Sequence, residues 1–175
     1  MIDFTDADEG AALNQEAFDW LLANGVTIGT IAMPWAVRSA RVIFEPAGRY
    51  RPCPGLGEFA YIFAILDRGI VDLAASSPKD ERLATRLGRG GALGQGQLSI
   101  DGVGTIDRPL LVWRSSLDWL RAGRRGVVIA DAEVAGHMFA GAILQAEDKD
   151  HAAEVSDALR LPPPTVIFHT RRIAA

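Results

Sequence analysis

The sequence predicts a mixed α+β fold in a single compact domain, with an antiparallel first half and a β-α alternating second half around a mixed sheet. Three observations lead there. The 175 residues suit one domain, and at 49% hydrophobic and 23% charged they can build a sizeable core. Short apolar runs separated by Gly, Pro and Asp turns fill the first half. From Leu110 onward such runs alternate with short segments of helical spacing. One domain is expected over 1–175, with the glycine-rich stretch 88–104 marking where two lobes would meet.

Leu13, Phe18, Leu21 and Leu22 recur at roughly helical spacing over 13–24, bordered by Trp20, and Gly25 stops the segment. Strands are expected at 26–33 and 40–45, followed by a Pro-Gly connection at 52–57. Runs at 59–66 and 70–74 flank Asp67-Arg68-Gly69, a hairpin signal. The turn Ser77-Pro78-Lys79-Asp80 precedes a short strand near 83–87. In the second half, 110–113, 126–130 and 142–146 read as strands. Residues 116–122, 131–139 and 151–159 read as helices, the first with a cap-like start in Ser115 and Asp118. This alternation predicts parallel crossovers. Pro162-Pro163-Pro164 then breaks the chain before a final strand at 165–170.

The net charge of −4 conceals a segregation. Residues 1–33 carry six acids and no base, residues 79–125 nine bases against five acids, and residues 126–160 seven acids against two bases. A basic middle between acidic flanks suits nucleic acid or an acidic protein, and equally suits faces that simply solvate differently. Sixteen of the eighteen bases are arginine, which a GC-rich coding sequence explains as well as phosphate binding does. The acidic start reads as neither a secretory signal nor a transit peptide. The longest apolar run, 59–66, is far short of a membrane span, so no membrane partner is expected. Cys53 is the only cysteine, which excludes an intrachain disulfide and fits a reducing cytoplasm.

Five glycines fall within the nine positions 88–96 of "RLGRGGALGQGQL". Gly91-Ala-Leu-Gly-Gln-Gly96 matches the opening of a Walker loop, but Gln97 and Leu98 stand where lysine and a hydroxyl residue belong. The dinucleotide pattern fails as well, because Leu93 occupies the third glycine's place. Both motifs open a helix whose amides bind the anion, whereas "QLSIDGVG" reads as a strand and a turn. The segment is therefore no nucleotide cradle. It remains a glycine-rich connection flanked by Arg86 and Arg89, either a plain turn or a lid that contacts a polynucleotide.

Two other constellations carry chemistry. Asp131 ends a hydrophobic run, and Glu147-Asp148-Lys149 follows another. Asp131, Glu147 and Lys149 match a metal-dependent phosphodiesterase or nuclease pattern, in which carboxylates hold Mg2+ and the lysine positions the attacking water. The same residues also read as a helix cap and a polar loop. No cofactor is expected outside that alternative. His137, His151 and His169 lack metal-ligand spacing, and no G-x-S-x-G elbow supports a serine nucleophile. The most distinctive stretch is "VWRSSLDWLRAGRRG". Trp113, Leu117 and Leu120 share an apolar surface with Trp119 beside it, and Arg121, Arg124 and Arg125 crowd the helix end. It reads as an aromatic-basic contact surface, or as tryptophans anchoring a short helix beneath solvated arginines.

"GIVDLAA" at 69–75, with "VWRSSLDWLRAGRRGVVIAD" at 112–131, resembles a group of accessory proteins encoded by bacterial phages and integrated mobile elements. No activity is attached to that group, so no functional residue carries over. The resemblance implies a setting: a small cytoplasmic protein that binds host or element machinery, including interference with defence. The leading expectation is thus a non-catalytic module binding a protein, or nucleic acid. Its contact surface would be Arg86, Arg89, Trp113, Arg114, Trp119, Arg121, Arg124 and Arg125. The alternative is the Asp131, Glu147 and Lys149 phosphodiesterase. A third role is homodimer formation through exposed edge strands.

Overall fold

The computed structural model describes residues 10–160. The first half supplies β1 (Ala11–Ala12), β2 (Arg38–Glu45), β3 (Arg49–Pro52), β4 (Glu58–Leu66), β5 (Ile70–Ser76) and β6 (Leu83–Thr85). β2 is long enough to serve two partners. Its residues from Arg38 to Val42 lie antiparallel to β4, and those from Val42 to Glu45 antiparallel to β3. β4 pairs with β5, β5 pairs with β6, and Thr85 of β6 pairs in parallel with Arg49 of β3. The meander thus becomes a mixed sheet in which β2, β3, β6, β5 and β4 close into a five-stranded barrel, with β1 added to β2. Closure satisfies edges that an open sheet would leave exposed.

β4 shows how the residues drive this arrangement. Ala60 and Ile62 join Val42, Tyr50, Leu73, Ala75 and Ala84 in a cluster drawn from all five barrel strands. Small alanines suit a narrow lumen. The opposite face of β4, with Tyr61, Phe63 and Ile65, packs on the helices α1 (Gln15–Ala23), α2 (Ile28–Ala32) and α3 (Ser116–Arg121). A strand buried on both faces reads as an unbroken apolar run, which is what 59–66 is.

One first-half expectation needs correction, and one strand had no local sequence signal. Residues 26–33 hold no strand. Thr27 caps α2 by accepting from the Thr30 amide at 3.2 Å, and only Ile31 of that helix is buried. The β-branched residues favoured a strand, and the cap overrode them. β3 was hidden by its surroundings: it follows a tight turn at Pro46–Gly48 and ends at a proline.

The second half contains β7 (Ala92–Leu93), β8 (Leu110–Leu111), β9 (Val128–Ile129) and β10 (Leu144–Gln145), each shorter than its apolar run. β8 and β10 are parallel, Val112 bridges Val127 in parallel, and β7 and β9 are antiparallel. α3 links β8 to β9, and α4 (Ala132–Met138) leads from β9 towards β10, so short helices do make the crossovers. α5 (Lys149–Ala158) contributes Val155 to a core with Leu110, Val112, Val127, Ala135 and Phe139. In place of a strand beginning at Gln97, a 3-10 turn spans Gln95–Ser99. The expected proline break, the final strand at 165–170 and His169 lie outside the described residues.

Candidate functional site

The glycine-rich loop does wrap an anion, and that anion is its own chain's. Asp72, wholly buried on β5, turns its carboxylate under residues 87–90. Oδ1 accepts from the amides of Leu73 at 2.8 Å and Leu87 at 2.9 Å. Oδ2 accepts from those of Arg89 at 2.7 Å and Gly90 at 3.2 Å. Successive amides converging on one carboxylate form the concavity seen in anion-binding loops. Gly88, at φ +72°, takes a left-handed backbone that favours glycine and lies against the Arg49 guanidinium. Arg86 is half-buried and engaged, whereas Arg89 is exposed with no ion-pair partner among the described residues.

The arginine turn after α3 is held from three sides. Ser115 caps α3 by accepting from the Asp118 amide at 3.1 Å, and its hydroxyl donates to Asp118 Oδ2 at 2.6 Å. Trp113 Nε1 donates to the Arg125 carbonyl at 2.6 Å and Trp119 Nε1 to the Gly126 carbonyl at 3.0 Å. Gln97 completes the clamp. Its Nε2 donates to the carbonyls of Arg124 and Gly126 at 2.9 and 2.8 Å, and its Oε1 accepts from the Gly126 amide at 3.0 Å. Both tryptophans therefore work largely from within. Trp119 is buried edge-on against Phe63 at 6.0 Å, and Trp113 is half-buried.

The arginines divide sharply. Arg121 donates to the Asn24 carbonyl at 2.7 Å and pairs with Asp118 at 3.0 Å. Arg114 is enclosed by acids: two bonds to Asp148 at 2.7 and 3.1 Å, with Glu147 at 3.3 Å and Glu154 at 3.5 Å. The Asp148 bonds raise the Arg114 pKa above its ordinary range and hold the Asp148 carboxyl well below its own. Arg125 is exposed without an ion-pair partner among the described residues. Arg124 is half-buried in the left-handed region at φ 61°, with its guanidinium 5.5 Å from the centre of the Trp119 ring. Its Nε is buried without a partner, and its Nη2 reaches only the Ile31 carbonyl at a long 3.4 Å. No carboxylate among the described residues meets it, and burial lowers its pKa to about 10.

Arg124 and Arg125 line a groove of about 420 Å³ whose walls include Pro34, Ala64, Leu66 and Ile100. That volume lies within the range of ligand clefts. Ile100 is 48% exposed, so the rim is apolar as well. The elements around this site are a strand end of the barrel, the 3-10 turn and the turn after α3. Gln97 and Ile31, which place Arg124, lie 27 and 93 residues away from it in sequence. No local pattern signals such partners.

Asp131 and Glu147 are engaged by different groups. Asp131 caps α4 through the Val134 amide at 3.1 Å and pairs with Arg49 at 2.8 Å, while Arg49 also donates to Thr85 at 2.9 Å. Glu147 faces Arg114 and the buried His151, whose Nδ1 lies 3.5 Å from its carboxylate. Lys149 opens α5 and is exposed. Among the described residues no group of three or more His, Cys, Asp or Glu could hold a metal ion, and no helix is long and apolar enough to cross a membrane. No protein-family model, curated protein or solved structure matches the chain.

Proposed function

We propose that the protein is a non-catalytic accessory module of a phage or mobile element that binds a host or element protein through the face carrying the arginine turn. One observation carries this reading: the turn's backbone is fully clamped, yet Arg124 and Arg125 have no carboxylate partner among the described residues. A half-buried cation without a counter-charge is unfavourable, and a partner's anion would relieve it. Nucleic acid fits less well. Its phosphates call for several free cations along a track, whereas Arg114 and Arg121 are already neutralised by acids and the groove walls are apolar. The phage setting rests on the resemblance of residues 69–75 and 112–131.

The experiment is fluorescence anisotropy of labelled acidic peptides and of short single- and double-stranded DNA and RNA. It is run at two salt concentrations with magnesium, followed by a gel for cleavage. Peptide binding that weakens with salt and in Arg125→Gln is expected, with oligonucleotides bound more weakly and left intact. Tighter oligonucleotide binding, or cleavage lost in Glu147→Ala, would overturn the reading.

A further inference from the structure

We propose that the groove beside Arg124 receives the carboxylate of an acidic side chain on a partner protein, in a segment where apolar side chains flank that acid. The inference rests on the protein-binding reading and specifies the chemistry of the partner. Three features of the groove define that chemistry.

The first is charge. Among the described residues, Arg124 is the only cation set into the groove wall with part of its guanidinium buried and without an acid, while Arg125 stands at the exposed rim. One sheltered cation matches one carboxylate, and an arginine fork bonds a carboxylate well. The second is the apolar wall. Pro34, Ala64, Leu66 and Ile100 offer nothing to a ribose or to a run of phosphates, but they bury aliphatic side chains on either side of an acid. The third is preorganisation. A non-glycine residue at φ 61° costs energy, and here Gln97 and the Trp119 carbonyl, which accepts from the Arg124 amide at 2.8 Å, hold it there. With the Gly123 amide donating to the Leu120 carbonyl at 2.9 Å, these bonds close the end of α3 and fix the arginine's backbone before any partner arrives. The Gln97 amide is fully committed to the turn's backbone, so it supports the arginine and leaves recognition to it.

Two probes test this on the full chain: labelled N-acetyl-Leu-Glu-Leu-amide and its Gln counterpart. Wild type is expected to bind the Glu peptide about ten- to a hundredfold more tightly than the Gln peptide, as loss of a charged hydrogen bond implies. Arg124→Met should abolish that preference and Ile100→Asp should weaken binding of the Glu peptide, while Arg124→Lys keeps part of it. Without peptide, Arg124→Met should melt roughly 2–4 °C higher than wild type, because an apolar chain replaces an unpaired, partly buried charge. A structural role for Arg124 predicts the opposite shift. Equal binding of both peptides, or a Glu preference unchanged in Arg124→Met, overturns the groove assignment and leaves the protein-binding reading standing. Binding of oligonucleotides in place of either peptide overturns both.

Discussion

Asp72 is a carboxylate whose surroundings leave it no structural freedom. Four amides point at it, and it is wholly buried. Asp72→Asn keeps one oxygen but turns an NH2 towards two donors, so it should lower stability by about 2 kcal/mol, with Asp72→Ala worse. Urea unfolding measures this, and an unchanged midpoint would mean that the loop finds other acceptors. Tyr61 makes a pH-dependent contribution. Burial pushes its phenol up to about 12, and its hydroxyl donates to the Ala17 carbonyl at 3.3 Å. A group whose folded pKa is raised adds stability that is complete below its unfolded value near 10 and is lost as pH rises through 12. The stability advantage of wild type over Tyr61→Phe should therefore shrink between pH 10 and 12. Urea midpoints of the two proteins at pH 9, 10 and 11 would show it.

At the scale of elements, Asp131 ties the second half to the barrel. It caps α4 and pairs with Arg49 of β3, which in turn holds Thr85 of β6. The two roles separate by substitution. Asp131→Asn retains the cap and loses the charge, at a cost of about 1 kcal/mol; Asp131→Ala loses both, about 2–3 kcal/mol. Chemical denaturation of both variants should return that order, and equal losses would assign the whole effect to one role. α2 and β3 were the elements least visible in sequence. α2 is a single turn of β-branched residues whose cap decides its conformation, and β3 exists only because β2 and β6 flank it. By contrast, α4 and the β4–β5 hairpin followed their local signals, a capping aspartate and an Asp-Arg-Gly turn.

Across the whole molecule, one cluster joins barrel residues Tyr61, Phe63 and Ile65 to Leu93, Trp119 and Val128 of the second half. Shared burial of this kind makes either half expose apolar surface if the other unfolds. Thermal unfolding followed by far-UV circular dichroism and by tryptophan fluorescence should give coincident midpoints. Separated transitions would show that the shared cluster does not couple the halves.

Sequence alone determined the mixed class, the mostly antiparallel pairing of the first half and the short crossovers of the second. Each of these depends on neighbours a few residues apart: periodicity, caps and turn residues. Only the tertiary structure decided that the meander closes into a barrel, that the loop grips Asp72, and that Arg114 and Arg121 are spent on acids while Arg124 is not. Apart from the Asp118–Arg121 pair, which lies three residues apart, those outcomes depend on groups that meet across 15 to 93 residues of chain. Whether an arginine is free is a matter of what lies within about 4 Å of it, beyond which an exposed ion pair contributes little, and spacing along the chain carries no record of that distance.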